Sequence, residues 1–572
     1  MRQQKPKTAT DSLMLRDKLL IRWGQLQSEK ASWKPHWQEL SNYLLPRSGR
    51  FFSSDRNRGQ NRYNAIYDNT ATRALRILGA GLMAGATSPA RPWFKLQTPD
   101  EELNDYKTVK IWLEDVAELI SRAFAKSNTY HVLHQMYEEL AVFGTAVSLV
   151  MPDYDNIIHH HFITTGRYAL AANANGKVDT MYREFEMTVA QMVKYFGYDK
   201  CSLNVQNMFD NRNLDSWVKI VHAIEPREDR NPANPSSKEM PWGSWYFEYG
   251  NDSHEFLKES GFEYFPVLAP RWAVSGGDIY GNSPGMEALG DTKQLQHEQL
   301  RKAQGIDYQT RPPLQVPTSL KNREIDTLPG GITYVDSNSS GIAIRSIYEV
   351  NLDLNHLLAD IRDCRGRIQQ AFYADLFLLL ANATDTRMTA TEVAERHEEK
   401  LLMLGPVLGR MNTELLEPLI ELTFQKLLAA GVLPPPPPEL QGVNLSVEFV
   451  SILAQAQRSV GVAAVDRWIG NVGAVAQFTP DVLDKINTDY WCEAYADMLG
   501  VDPKLLRDDR EVAAIRQQRA QQQQQAEQAA MAEQQSKTEL NEAKAQAQAP
   551  DNRSTNIMDQ LIGYNTPGVM PS

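Results

Sequence analysis

Hydrophobic positions recur at helical spacing in three long blocks of the chain and alternate like strands in one. Residues 11–46 place Leu13, Leu20, Trp23 and Leu26, then Trp37, Leu40 and Leu44, on helical faces. That pattern predicts two helices broken near Pro35. A small-residue apolar helix follows from Asp68 and ends at Ser-Pro-Ala-Arg-Pro (88–92), where the prolines push the chain into extended geometry. Residues 106–150 predict two more helices with Asn128 between them. From Met151 to Pro270 the period shortens: strands on either side of an Asn175-Gly176 hairpin turn, then WVKIVHAIEPRE (217–228), WYFEYG (245–250) and EYFPVLAPRWAV (263–274). MTVAQMVKYFG (187–197) predicts a short helix among them.

The stretch from Ile279 to Glu421 has a different design, a helix that leaves, crosses a small Pro- and Gly-marked insert and returns. Ser283-Pro284 reads as an N-cap with proline in the first turn, and a helix over 284–304 would be about 30 Å long. Its seam (Met286, Leu289, Lys293, Gln296, Leu300, Ala303) is only half apolar. The returning helix carries a cleaner stripe, Leu354, Leu357, Ile361, Cys364, Ile368 and Ala371, in steps of three and four. A stripe that narrow covers one neighbour. Either the hairpin packs on its own domain, or many copies stand in a ring and bury the stripe against one another. Between the helices, TRPPLQVPTSL and LPGGITYVDSNSSGIAI predict a short strand and a hairpin-like pair. After a polar break, Thr389–Glu392 forms a capping box opening a helix kinked at Gly405-Pro406 that stops at Gly431. A polyproline run (434–438), a strand at VNLSVEFV and further helices follow, then an Ala/Gln-rich segment expected to start helical and fray.

Composition narrows the class. The 572 residues leave room for roughly three to four domains, and three scattered cysteines (Cys201, Cys364, Cys492) suggest a reducing compartment rather than a disulfide framework. The N-terminus has no apolar core followed by a cleavage site, so no secretory signal is read there. The most apolar windows, such as 77–86, fall short of the ~18–20 residues that span a bilayer. Net charge is −12, yet residues 1–76 hold 15 Lys/Arg against 6 Asp/Glu. A basic arm on an acidic body fits ordinary surface scatter, or a protein past which DNA slides without being gripped.

Candidate catalytic chemistry is thin. His159-His160-His161 lies in a predicted strand, where alternate side chains face opposite ways, so at most two could share a metal, with no partner at zinc spacing. The chain has no G-x-x-x-x-G-K-[ST] loop, and Gly79-Ala80-Gly81 sits in an apolar helix rather than after a strand. No catalytic residue, metal or cofactor is assigned.

Several blocks in order along about 500 residues resemble the head-to-tail connector (portal) proteins of short-tailed, podovirus-type bacteriophages. They are GLMAGATSPARPWFKL (81–96), SNTYHVLHQMYEELAVFGTAVSLV (127–150), YGNSPGMEALGDTKQLQ (280–296), RMTATEVAERHEEKLLMLGPVLGRMNTELLEPLIE (387–421), VEFVSILAQAQR (447–458) and the segment 482–525. The resemblance implies an α+β, predominantly helical subunit. It has a wing (1–283 and 390–480), stem helices (284–304 and 351–375), a small α/β clip (305–350), a tunnel loop (376–389), a helical crown (481–548) and a disordered tail (549–572). It implies a ring, usually of twelve copies, at one capsid vertex of the virion, assembled in the bacterial cytoplasm. Double-stranded DNA would pass through it, and the terminase large subunit, tail adaptor or tube proteins, and capsid and scaffolding proteins would dock on it, with no membrane insertion. Channel contacts would come from Lys293, Arg301 and Lys302 on the first stem helix, Arg311, Lys321 and Arg323 in the clip, and Asn382, Asp385 and Arg387 in the tunnel loop, although each cation could instead pair with an acid of a neighbouring subunit. A packaging enzyme of the terminase type is the alternative, disfavoured by the missing P-loop; an ejected, membrane-contacting virion protein would need apolar stretches that are not seen.

Overall fold

The computed structural model describes residues 9–51, 59, 62–100, 103, 106–250, 256–310, 314–315, 345–346, 355–381, 404–440, 445–450, 468–474, 487–488, 490–492, 495 and 509–547. The architecture is α+β, with helices and antiparallel sheets. Residues 1–500 form one compact unit and residues 501–572 a second.

The N-terminal helices are α1 (Ala9–Ala31) and α2 (Trp33–Tyr43). Their joint is at Ser32 rather than near Pro35, because proline in the first turn of α2 forfeits only an N–H that has no helical partner there. Leu19, Trp23 and Leu26 of α1 are buried with residues of the large sheet, and Trp23 stacks on Tyr182 with ring centroids 6.1 Å apart. Trp37, Leu40 and Leu44 enter the main core instead. That core gathers α3 (Thr70–Ala86), β1 (Phe94–Gln97), α4 (Lys107–Lys126) and α5 (Thr129–Phe143). Asn128 separates α4 from α5 as expected, and its side-chain amide pairs with both backbone groups of His160.

Strands β2 (Val147–Asp153) and β3 (Ile157–Ile163) pair antiparallel, while β4 (Tyr168–Ala172) and β5 (Val178–Thr188) form the hairpin expected around Asn175-Gly176. Helices α6 (Val189–Phe196), opened by a Thr188–Gln191 capping box, and α7 (Leu203–Asp210) precede β6 (Trp217–Pro226), β7 (Trp242–Glu248) and β8 (Lys258–Phe262). The large sheet is an antiparallel meander in the order β4-β5-β6-β7-β8. EYFPVLAPRWAV yields only a two-residue strand, β9 (Val267–Leu268), beside β2. Pro266 and Pro270 bracket it and donate nothing, yet their carbonyls accept from Val150 and Ala146. The histidine run alternates as expected: His160 is buried, with Thr129 and Ser148 hydroxyls at its ring nitrogens, while His159 and His161 face outward.

A buried carboxylate joins these layers. Glu139 on α5 accepts hydrogen bonds from the hydroxyls of Ser48 and Thr164 and from both the backbone N–H (3.0 Å) and hydroxyl (3.1 Å) of Thr165. Burial pushes its carboxyl above the ordinary value, against those hydrogen bonds, which pull it down. A carboxyl raised in the folded state holds its proton more tightly there, so its stabilising share is present at low pH and lost as pH climbs from about the unfolded value of 4.5 through the folded one. Glu139→Gln should therefore match the wild-type urea midpoint at pH 4 and equal or exceed it at pH 8, since the new NH₂ can donate to the two hydroxyls. Glu139→Ala should cost about 1–3 kcal/mol at both, by stranding the Thr165 N–H.

The hairpin begins at α8 (Pro284–Glu287), with the Ser283 hydroxyl accepting from the Met286 N–H, and continues as α9 (Leu289–Thr310), six residues past the predicted end. Strands β10 (Leu314–Gln315) and β11 (Arg345–Ser346) pair antiparallel, and α10 (Asn355–Ala371) returns. The helix breaks at Phe372-Tyr373, with Tyr373 at φ +52°, and resumes as α11 (Ala374–Ala381), so the first part of the predicted tunnel loop is helical. Residues 404–411 are helical and run into a π-helical turn, Asn412–Leu416, and then α12 (Glu417–Ala429), closed at Gly431 with φ +67°. The irregularity described in this helix is thus the π turn; the Thr389–Glu392 capping box lies outside the described residues. Strand β12 (Ser446–Phe449) crosses back to pair antiparallel with β1.

In the second unit, α13 (Asp509–Ala547) is one uninterrupted helix of 39 residues, about 59 Å long, where fraying was expected. Met531 and Leu540 on it are exposed, and Lys537 pairs with Glu533 one turn earlier.

Candidate functional site

The seat of the helix pair α9/α10 is built from backbone contact. Gly144 closes α5 with φ +74°, and its carbonyl accepts from Trp272; a Cβ there would overlap the carbonyl of Gly281. The converse holds for Gly281, whose N–H donates to the Thr145 hydroxyl (2.9 Å). Two residues on, the Ser283 hydroxyl donates to the Val142 carbonyl (2.7 Å) while capping α8. The Tyr-Gly-Asn-Ser-Pro-Gly segment thereby docks the start of the hairpin directly on α5.

Farther along, polar groups tie both helices to the start of α3. Gln296 is buried; its side-chain oxygen accepts from the backbone N–H of Tyr67 (2.6 Å) and Asp68 (2.8 Å), and its amide donates to the Asp68 carbonyl (2.9 Å). The Asp68 carboxylate accepts the N–H and hydroxyl of Thr70 at the start of α3 through one oxygen, and Arg365 of α10 (2.7 Å) and Gln299 (3.1 Å) through the other. Burial would raise that carboxyl, but the bonds from Thr70 and Arg365 bring it below its ordinary value.

Of the stripe predicted on α10, Ile361, Cys364 and Ile368 are buried in the main core, Leu357 and Ala371 are half-buried against it, and Leu354 lies outside the described residues. Its central residues are thus covered within this chain. The seam of α9 is shifted from the expected one: Leu289, Thr292, Leu295, Gln296 and Glu298 are buried, whereas Lys293 and Ala303 face out. Polar Thr292, Gln296 and Glu298 disguise that face in the sequence.

Among the predicted channel residues, Lys293 donates to Glu39 of its own chain (2.6 Å), which holds its ammonium above the ordinary value. It is thus already paired, with an acid of the same chain rather than a neighbour's. Arg301 is exposed and, among the described residues, reaches side chains of its own helix, His297 (3.4 Å) and Gln304 (3.1 Å). Lys302 is half-buried and makes no ion pair with the described residues. Arg311, Lys321, Arg323, Asn382, Asp385 and Arg387 lie outside the described residues.

Sequence reasoning missed a cluster between the two helices. Glu298, Asp360 and Cys364 converge there, with Gln294 donating to both carboxylates (2.7 and 3.4 Å) and Arg367 donating to the Cys364 sulfur (3.2 Å). Burial pushes the Glu298 carboxyl up; the Gln294 bond pulls it down and the facing Asp360 pushes it up again. The Cys364 thiol is also raised, by burial and then by Glu298. The i, i+4 spacing of Asp360 and Cys364 was the signal available, but its third member comes from a segment 62 residues away.

Against known proteins, the family model described as "Bacteriophage head to tail connecting protein" matches residues 16–506. A "Probable portal protein" of Bordetella phage BPP-1 is 61% identical over 502 residues, spanning 88% of this chain and 90% of the relative. The "Portal protein" of Salmonella phage epsilon15 is 46% identical over 506 residues, spanning 88% and 91%. Among solved structures, the neck of an empty GTA particle, computed with C6 symmetry, aligns at a TM-score of 0.34 and 12% identity, covering 74% of this chain and 93% of that one. A likeness that weak carries no argument.

Proposed function

We propose, for a chain that belongs to the bacteriophage head to tail connecting protein family, the working role of a portal: the channel at the head–tail junction through which the genome enters and leaves. The observation that carries this is 61% identity to a probable portal protein across 88% of the chain. Virion components of this kind are assembly proteins, and no chemistry of its own is assigned to this one.

The finer reading is that twelve copies form a ring at one capsid vertex. Helices α8, α9 and α10 serve as the stem, which at the insert end runs to Thr310, so the clip begins there. The tunnel loop begins beyond α11, the wing comprises the N-terminal α+β layers with α12 and β12, and α13 belongs to the crown. Because the centre of the α10 stripe is already buried, copies meet through other faces of the stem. Double-stranded DNA passes through non-specifically: an acidic body repels phosphate, and a few cations such as Arg301 and Lys302 give weak, register-insensitive contact. Terminase, tail adaptor, capsid and scaffolding proteins dock on the ring, which is assembled in the host cytoplasm.

Light scattering with negative-stain imaging tests this at once. Closed rings with a central channel are expected; a monomer in every salt condition sinks the reading, and ATP turnover by the purified chain would revive the packaging-enzyme alternative. Replacing Arg301 and Lys302 by alanine should leave rings intact while flattening the salt dependence of their DNA binding, by up to about 0.9 in the log–log slope for each phosphate no longer neutralised.

A further inference from the structure

The cluster between α9 and α10 has the donors, and the deficit, of a metal site. Asp360 and Cys364 are one turn apart on α10 and so share a face, and Glu298 reaches them from α9. Their ligand atoms all lie within 4.8 Å of one another. Ligands around a tetrahedral zinc ion are spaced by roughly 3.5 Å, given Zn–S near 2.3 Å and Zn–O near 2.0 Å. Closing onto an ion therefore needs only side-chain adjustment.

A second observation is independent of the grouping. Glu298 is only 8% exposed; Gln294 donates to its Oε1 and the Asp360 carboxyl stands at hydrogen-bonding range of the group, but no donor among the described residues other than a proton shared with Asp360 reaches its buried Oε2. Buried carboxylate oxygens are normally satisfied, and two facing carboxylates need a proton or a cation between them. The charge balance points the same way. Arg367, which donates to the sulfur, is already paired with Asp291 (3.2 Å) and Asp363 (2.8 Å), so it does not neutralise Glu298 and Asp360 as well.

We propose that Glu298, Asp360 and Cys364 bind a divalent transition cation of the zinc class, with water completing the shell. Sulfur in the donor set selects zinc, cobalt or cadmium over calcium and magnesium, which require oxygen. Gln294 and Arg367 hold the ligands from outside, as second partners commonly do in metal centres. The bound ion would clasp α9 to α10 at mid-length. The site lies within one chain and does not depend on the ring.

The test uses the full-length, reduced protein titrated with Co²⁺, whose thiolate complexes absorb in the near ultraviolet by charge transfer. A saturable band at one equivalent is expected, displaced by Zn²⁺ but not by Ca²⁺. It should vanish in Cys364→Ser and persist in Cys492→Ser. Asp360→Asn, at an exposed position that folding tolerates, should weaken binding by at least about 10-fold. Zn²⁺ should also raise the wild-type melting midpoint, and raise that of Asp360→Asn less at the same concentration. Absence of the band would show that a proton alone bridges the carboxylates and would overturn the proposal. So would a band that survives Cys364→Ser or disappears with Cys492→Ser.

Discussion

Gly144→Ala is expected to cost about 3–5 kcal/mol and to sharply reduce the yield of folded protein. Two effects combine. Alanine at φ +74° carries about 1–3 kcal/mol of backbone strain. Its Cβ would also meet the carbonyl of Gly281, a backbone atom that no rotamer change removes, and such overpacking adds a comparable amount. Gly176 supplies the internal control, because it also sits at φ +74° but an added Cβ there meets nothing within 4 Å. Gly176→Ala should therefore show strain alone, about 1–2 kcal/mol. Urea midpoints of the two variants decide the matter. Equal losses would mean that the close approach of α5 to the hairpin contributes nothing.

The second large effect is expected at Arg271 and Glu414. Arg271 gives Glu414 its backbone N–H (2.9 Å), Nε (3.2 Å) and Nη2 (2.7 Å), and its Nη2 also donates to the Gly176 carbonyl (2.8 Å). One side chain thus joins the β4–β5 turn to the π-helical turn that carries Glu414. Breaking a buried pair costs about 3–5 kcal/mol because a charge is left behind, and which charge is left should set the order. The Arg271 side chain is 5% exposed, so Glu414→Ala strands a buried guanidinium. Arg271→Ala leaves a carboxylate that is 19% exposed and still accepts from Arg410 (3.0 Å). Glu414→Ala should be the worse of the two, and the double variant should lose less than the sum. Additive losses in a double-mutant cycle would refute the coupling.

Local elements were legible in the sequence where one signal sufficed. Asn175-Gly176 marked its hairpin, Ser283-Pro284 its helix start, and the 361/364/368 steps their buried stripe. What the stripe faces was not legible, because periodicity reports that a side is covered and not by whom. The break at Tyr373 involves neither glycine nor proline, so no composition signal marked it. Buried polar groups were the hardest to foresee. Glu139, Gln296 and Glu298 read as solvated on any hydropathy scale, and for Glu139 and Gln296 only their three-dimensional partners make burial tolerable. Of the predicted channel cations, Lys293 is paired to Glu39, and Arg301 bonds to His297 and Gln304 of its own helix; which cations face a channel is not a property that one chain's periodicity encodes.

The pairing of β1 with β12 has a consequence for the order in which the protein comes into being. Phe94 lies opposite Phe449, and Trp93 stacks on Phe449 with centroids 6.5 Å apart. The ribosome must add about 350 residues after the first strand before the second exists. At roughly 5–20 residues per second, that takes on the order of 20–70 s. During this interval the Trp93–Phe94 edge of the N-terminal layers stands uncovered in the nascent chain, an aggregation hazard that a holding chaperone or prompt collapse of α4 over β1 must bridge.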